Sequence, residues 1–454
     1  MNKKHILPVL TLCFFALLPL KAQTSFQEAV FLQDYRMAYR FNPAFQNPTD
    51  FVSVGQLFRT DRSNIGESAK RYLYNGEVVT GFHPSVSAEE YLSHLQPDNY
   101  KVSMLDYNLF SYGMLRGKNY HTFEFNVRSN YYYSVPIEVF EIVKKGTANS
   151  PFDLSDLRAS GKLYAEFAYG FSRRLDKVVT VGFRSKLLLG LNGGTYRADR
   201  LTLTMNESEY RADIEATLDL TNRTRNLVPD ENGALSLLRT TKRDAWGLPS
   251  AAGLGFDFGI VIRPWENLTL AASVLDLGLV LWHYGNAAVS SGSASFTGLR
   301  DATLSELGKE GMKNLLLDVF NDYADALELR KTGTVNKWEL LPFQANASAK
   351  YEMPFYRGLA VGATATYMEF EDMPYWDVRA GIYIHPFRPF AWLDFTANVG
   401  KDIYGPVYGW GMTFNVSRFR LSVGKETGIG PRVPYGGKLN PTRSMSTFGL
   451  TVDL

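Results

Sequence analysis

The chain has 454 residues, with 48 Lys plus Arg against 46 Asp plus Glu and a single cysteine, Cys13. So even a charge balance gives no footing for a nucleic-acid partner, which calls for a basic excess, and one cysteine excludes an internal disulfide. Aromatic residues reach 14%, with 26 Tyr and 30 Phe, yet the mean hydropathy is slightly negative; that combination suits strands that show lipid on one face only.

Lys3 and Lys4 precede an apolar run from Ile6 to Leu20, and Leu20-Lys21-Ala22 supplies a cleavage pattern. The pattern predicts a signal peptide over residues 1–22, cut after Ala22. The run is too short for a spanning helix, which needs about 20 apolar residues. Leu12 stands before Cys13 where a lipoprotein signal needs a small residue. Cleavage removes Cys13, so no thiol chemistry is expected in the exported chain. Downstream no clean apolar run reaches helical spanning length; the longest candidate, Leu268 to Trp282, contains Asp276.

Residues 23–50 form a separate N-terminal segment, expected at the periplasmic mouth or inside the barrel as a plug. From residue 51 the governing signal is alternation, because successive side chains of a strand point to opposite faces. In 120–135, Phe123, Phe125 and Val127 oppose Glu124, Asn126 and Arg128. In 210–220, Tyr210, Ala212, Ile214, Ala216, Leu218 and Leu220 oppose Arg211, Asp213, Glu215, Thr217 and Asp219. In 343–353, Phe343, Ala345, Ala347, Ala349, Tyr351 and Met353 oppose Gln344, Asn346, Ser348, Lys350 and Glu352. The same rhythm predicts strands at 51–59, 101–115, 161–173, 177–190, 195–206, 252–263, 267–281, 357–370, 375–386, 390–400, 406–416, 418–425 and 445–454. The expected fold is all-β: an antiparallel up-and-down transmembrane barrel of about 14–16 strands over residues 51–454.

Tight turns are expected at 116–119, 174–176, 206–209, 264–267, 354–356, 387–389 and near Ser417, with mostly longer connections between the hairpins. Such barrels have short periplasmic turns and long external loops, which places both termini in the periplasm. In the longest loop, Met312, Leu315, Leu316, Val319, Phe320, Tyr323 and Leu327 recur at helical spacing and predict a helix over 312–329. It packs on the barrel rim or serves as a gate or docking site. A shorter helix is expected over 136–145 with Pro136 at its start. At the C-terminus, Phe448, Leu450, Val452 and Leu454 alternate with Thr447, Gly449, Thr451 and Asp453, a last strand similar to the signal read by the outer-membrane assembly machinery.

The segment Arg36-Met37-Ala38-Tyr39-Arg40-Phe41-Asn42-Pro43-Ala44-Phe45, together with 254–259 and 272–282, resembles an uncharacterised family of Bacteroidetes outer-membrane barrels. That family is broadly similar to the long-chain fatty-acid transporter class. The resemblance spans residues 23–454 and implies an outer-membrane location with the N-terminal segment tucked into the periplasmic mouth. It implies no particular substrate.

Candidate plug and lumen residues follow. Arg36 and Arg40, with Asn42 and Pro43, precede the first strand and either fold against lumenal carboxylates or form a solvated tail. Asp276 and Gly278 interrupt an apolar strand. A carboxylate facing lipid is costly, so either a bulge turns Asp276 inward or it sits near an interface. Glu124, Arg128, Arg184, Arg211, Asp213, Asp257 and Arg379 are assigned to the inward face. Lys162, Lys186, Lys350, Arg420, Glu166, Glu215, Asp219, Glu352, Asp377 and Asp394 join them, and the two signs balance.

Catalytic constellations are not found. His83, His94, His121, His283 and His385 lack metal-ligand spacing, and Gly253, Gly255 and Gly259 read as the small face of a strand. Glu369 to Asp372 reads as a solvated turn. The expectation is a non-enzymatic protein without metal or cofactor. It would be a passive channel or transporter for a small solute, with a hydrophobic one among the candidates, in contact with outer-membrane lipids. The alternative is a non-transporting scaffold that docks a surface protein through its long loops.

Overall fold

Alternation becomes strand pairing in the computed structural model, which describes residues 35–454 apart from 65–71, 147–149, 206–209, 223–224, 230–234, 243–248, 297–328, 372, 388–389, 391 and 431–439. The proposed signal peptide, and the helix expected over 312–329 except its last residue, lie outside the described residues. β1 (Phe51–Ser63) is followed by a small hairpin, β2 (Tyr72–Tyr74) and β3 (Glu77–Val79), and by helix α1 (Ala88–Ser93). Then come β4 (Asp98–Arg116), β5 (Asn119–Pro136), helix α2 (Ile137–Lys145) and β6 (Phe152–Asp153). β7 (Arg158–Arg174), β8 (Val179–Met205) and β9 (Tyr210–Asn222) precede a paired β10 (Arg225–Pro229) and β11 (Leu235–Lys242). β12 (Ala251–Trp265), β13 (Leu268–Phe296), β14 (Arg330–Leu340) and β15 (Gln344–Met353) follow. The last six are β16 (Tyr356–Phe370), β17 (Met373–Ile384), β18 (Leu393–Asp402), β19 (Gly405–Val416), β20 (Phe419–Gly430) and β21 (Asn440–Asp453).

The wall runs β1, β4, β5, β7, β8, β12, β13 and then β15 to β21 in order. It closes through Phe51↔Asp453. This is a closed antiparallel barrel of 14 strands. The sixteen alternating segments reduce to fourteen for two reasons. Residues 195–206 continue β8 rather than starting a new strand, and 210–220 form β9, which never enters the wall. β9 sits end to end with β12: β8 pairs with β12 up to Gly190 and with β9 from Asn192 onward, while β13 pairs with β12 up to Trp282 and with β9 from Asn286. Residues 221–251 and 282–340, where the alternation predicts no wall strand, therefore hold further strands, including the second half of a long β13.

Tight connections after β4, β7, β12, β15 and β19 lie at one end, and short turns after β16 and β18 lie at the other. Both described termini lie at the first of these, the tight-turn end; Leu454 N–H donates to the Asp50 carbonyl at 3.0 Å. Outward faces carry exposed Phe123, Phe167, Leu254, Phe258, Leu279, Ile382 and Val399. A girdle of exposed Trp265, Phe355, Phe387, Phe390, Trp392 and Phe419 marks the tight-turn end. Apolar residues outward with aromatic residues at the rim are what a barrel in lipid requires, and closure leaves no unpaired edge.

The long-loop end is covered by packed pieces. α2 is preceded by Pro136 at its N-cap and carries Glu138 in its first turn and Lys144 and Lys145 in its last, each favourable to the helix dipole. Its Val139 and Ile142 pack on Leu201, Leu203 and Ile214. α1 is capped by Ser87, whose Oγ accepts the Glu90 N–H at 3.0 Å. Tyr91 and Leu95 join Tyr72, Ile137 and Phe140 in a second small core.

Candidate functional site

Residues 35–47 fold into the tight-turn half of the barrel rather than trailing from it. Met37, Tyr39, Phe41 and Ala44 are buried, as are Arg36, Arg40 and Asn42. The Asn-Pro pair is the anchor. Asn42 Nδ2 donates to the carbonyls of Ile260 at 3.1 Å and Ala272 at 2.9 Å, which face each other across β12 and β13. Its Oδ1 accepts the Ala44 N–H at 2.8 Å, closing a local turn. Ser273 Oγ donates to the Phe41 carbonyl at 2.8 Å. The backbone reaches the wall because two wall positions lack side chains. A Cβ at Gly182 would overlap the Pro43 carbonyl, and one at Gly259 would overlap Asn42 Oδ1. Arg36 binds Asp453 with Nε at 2.8 Å and Nη2 at 3.0 Å, and Arg420 shares that carboxylate. Asn47 Nδ2 donates to the Arg36 carbonyl and to Tyr120 Oη, both at 2.7 Å.

Above the anchor lies a closed circuit of eight alternating charges. Arg40 Nε meets Glu124 at 3.1 Å, and Glu124 meets Arg184 Nη1 at 2.9 Å. Arg184 Nε meets Asp257 at 2.6 Å, and Asp257 meets Lys186 Nζ at 2.7 Å. Lys186 meets Asp276 at 2.5 Å, and Asp276 takes both Nη1 and Nη2 of Arg128 at 2.9 Å. Arg128 Nε lies 3.8 Å from Asp106, which returns to Arg40 Nη2 at 2.7 Å. Glu166 adds a further carboxylate on Arg128 at 2.8 Å. Stripping water from an ion costs several kcal/mol, and the geometry must supply more than one partner per charge to offset it. Here every member of the circuit has two. For Arg40, burial pulls the guanidinium pKa down, but Asp106 and Glu124 outweigh it and hold the value above its ordinary range. Beside the circuit a void of about 100 Å³ remains, lined by Arg40, Met104, Asp276 and Met368 among others.

Asp276 reaches this circuit through a β-bulge. Below it Ala271, Ser273 and Leu275 are buried and Leu270 is exposed; above it Val280, Trp282 and Tyr284 are buried and Leu277 and Leu279 are exposed. β13 has two residues, Leu275 and Asp276, between Val274 and Leu277 where β12 has only Asp257 between Phe258 and Phe256; the extra residue keeps apolar side chains outward on both sides of the shift. Asp276 itself takes φ +60°, which Asp tolerates better than most residues. Its N–H donates to Asp257 Oδ1 at 2.7 Å. Gly278 is needed because a Cβ there would overlap the Leu254 carbonyl.

The neighbouring strand breaks at the same height. β13 pairs with β15 up to Leu275↔Gln344 and with β14 from Leu279↔Leu340. Between them Leu341 N–H donates to the Gly278 carbonyl at 3.0 Å. A cavity of about 580 Å³ opens at this double break. Its lining joins lumenal Lys162, Tyr164 and Trp282 to outward Trp338, Leu340 and Phe343. Leu340 is 84% exposed and Trp338 is 65% exposed, whereas Trp282 is 2% exposed. Lys162 pairs with Glu339, and Tyr284 Oη donates to Glu339 at 2.7 Å.

Of the candidate residues, Arg36, Arg40, Asn42, Pro43, Glu124, Arg128, Arg184, Asp257, Asp276 and Gly278 come together in this plug, circuit and bulge. Arg379 belongs to a second buried cluster, with Asp377 at 3.1 Å and with Glu426; Arg443 bridges the same two acids at 2.6 and 3.3 Å. Asp213 joins neither group, and Arg211 stands on the same strand. They lie on β9, beyond the wall, because alternation alone does not distinguish a strand in lipid from one standing in solvent. The Arg211 side chain is outside the described residues. Asp106 was not anticipated. A register shift between Asn108 and Phe110 breaks the alternation of β4, and the adjacent apolar pair Leu109-Phe110 was the available signal.

Three solved outer-membrane barrels are similar in fold. The Pseudomonas putida toluene transporter TodX is 9% identical, with TM-score 0.43, over 95% of this chain and 94% of its own. The Ralstonia pickettii toluene transporter TbuX is 8% identical, with TM-score 0.46, over 92% and 94%. A Pseudomonas aeruginosa FadL homologue is 13% identical, with TM-score 0.42, over 93% and 95%. No curated protein matches the sequence. A family model does, over residues 43–425, from Pro43 of the anchor into β20, and the chain belongs to that family, DUF5723, a family of unknown function.

Proposed function

We propose that this barrel is a passive conduit in the outer membrane, both termini in the periplasm, that passes a small apolar or amphipathic solute sideways through its wall. The observation that carries the reading is the 580 Å³ cavity, which lumenal and outward side chains line together at the double break beside Asp276. A site that buries most of a small ligand is typically about 300–1,000 Å³ and mainly apolar, with a few polar groups. Trp282, Tyr164 and Leu341 supply the apolar surface, and Lys162 and Glu339 the polar end. The axial path offers less room, because the plug and charge circuit occupy the lumen below. The solute would enter from the long-loop end, rest against Trp282 and leave between Leu340 and Phe343 into the lipid. In this reading Arg36, Arg40, Asn42 and Pro43 hold the plug, and Glu124, Arg128, Arg184, Asp257, Asp276 and Gly278 keep the seam in shape.

Ser160 lines the cavity and is buried, so Ser160→Trp would fill it from the lumenal side. With purified barrel in lipid vesicles and an apolar fluorescent dye as probe, saturable dye binding is expected in wild type and not in S160W. Equal binding by both would contradict the proposal. The second reading, a scaffold for a surface protein, draws on exposed Leu73, Val78 and Phe82 at the long-loop end. Co-purification of a protein lost on replacing those three residues, with no dye binding, would favour it.

A further inference from the structure

A second cavity lies at the other end of the barrel, between the plug and the wall. It measures about 340 Å³ and is lined by Ala44, Gln46, Arg174, Lys177, Thr180 and Arg263. Three of these six are cations and none is an acid. In the circuit the buried cations alternate with carboxylates, whereas Arg174, Lys177 and Arg263 are exposed at the barrel mouth and form no ion pair among the described residues. Arg174 and Arg263 repel each other, and Glu352 attracts Arg263.

The local structure explains why the turn's own acid does not neutralise them. Asp176 sits between Arg174 and Lys177, but its Oδ1 accepts the N–H groups of Val178 and Val179, each at 2.7 Å. That carboxylate is committed to the turn. The remaining walls are held firmly. Gln46 Nε2 donates to the Lys118 carbonyl and to Ser172 Oγ, both at 3.2 Å, fixing the plug side. Arg263 N–H donates to the Val178 carbonyl at 2.7 Å, fixing β12 against the turn. Arg174, which lines the cavity, reaches Gln46 Oε1 through Nη2 at 3.5 Å.

We infer that this pocket binds a phosphate group, held by Arg174, Lys177 and Arg263 against the plug. A phosphate carries up to two negative charges and several acceptor oxygens, matched by two guanidinium forks and an ammonium better than a single carboxylate would be. The group could arrive as free phosphate or on a lipid headgroup from the adjoining leaflet. The inference does not depend on the seam beside Asp276, so it stands or falls separately from the conduit reading.

The test uses the full barrel in zwitterionic detergent. Inorganic phosphate is titrated and followed by phosphorus NMR, and retention of phosphatidylglycerol against phosphatidylcholine is read by native mass spectrometry. Wild type is expected to bind at least one of the two phosphate probes saturably. The double variant R174Q/R263Q should bind at least about tenfold more weakly, as loss of two charge-assisted contacts implies. K177Q, in an exposed turn, keeps the test open if the double variant fails to fold, and should also weaken binding. R197Q, at the far end, should bind as wild type does. Binding of inorganic phosphate identifies a soluble source, and selective retention of phosphatidylglycerol without it identifies a headgroup. No binding of either, or unaltered binding by both pocket variants, would overturn the inference.

Discussion

Asp257 and Asp276 are joined by the hydrogen bond from the Asp276 N–H to Asp257 Oδ1 at 2.7 Å, although both are acids. The same Asp257 oxygen takes Lys186, which also binds Asp276. One carboxylate therefore stabilises both the backbone of the bulge and the charge that the bulge delivers. Asp257→Ala is predicted to cost about 3–5 kcal/mol, because Arg184 and Lys186 lose a buried partner. Asp257→Asn keeps an acceptor and should cost less. Unfolding midpoints in denaturant for the two variants in detergent check this; equal effects would show that the backbone bond contributes nothing.

Arg40 is the plug's member of the circuit. Arg40→Gln leaves Glu124 and Asp106 each one partner short, and removing one member of a buried pair typically costs about 3–5 kcal/mol. The variant should release the plug, seen as faster proteolysis within residues 35–50 and higher conductance in planar bilayers. Adding Glu124→Gln should recover part of the loss, since residues in one network are not additive. A double variant no better than R40Q would argue against direct coupling.

Fourteen strands, one face greasy and the other polar, were legible because the period of two persists in nearly every wall segment. The bulge at Asp276 was legible as one of two alternatives, since an acid inside a leucine-rich strand must turn away from lipid or sit at an edge. The closed circuit was not. Balanced charges on inward faces do not say which strands face each other across the lumen, and Arg128 meets Asp276 from four strands away. The extension built by β8, β9 and β13 was also hidden, because the residues of 210–220 alternate as neatly outside the wall as they would in it.

Gly182 tests the docking of the plug. Gly182→Ala would press a methyl group on the Pro43 carbonyl and the Ala44 nitrogen, and backbone does not yield cheaply. The plug should loosen, again raising conductance and proteolysis. Gly161→Ala is the control, because its nearest neighbour would be a Tyr131 ring atom at an ordinary 3.5 Å. Identical behaviour of the two variants would mean that the plug does not depend on close approach at Gly182.

Asp50 links the plug to the first hairpin. It accepts the Leu115 N–H at 2.7 Å and Arg116 Nη1 at 2.8 Å, and these hold its carboxyl below the usual carboxylate range. A depressed folded value means a proton is taken up on unfolding, so the link stabilises at neutral pH and fades as pH falls below about 4. Asp50→Asn should therefore lower heat resistance at neutral pH, and the deficit should shrink as pH falls below about 4. Gel mobility after stepwise heating at the two pH values measures it; the same deficit at both would contradict the assignment.

The claim at the centre is that the lumen communicates with lipid at the double break. Trp282 is buried on the lumenal side of that cavity and Trp338 is exposed on its outer side. Two single-tryptophan variants, each keeping one of these with the other six tryptophans replaced by Phe, would be placed in bilayers and titrated with 1-bromooctane, a quencher that partitions into the membrane. Saturable quenching of Trp282 as well as Trp338 is predicted. Quenching of Trp338 alone would show a sealed wall and contradict the lateral route.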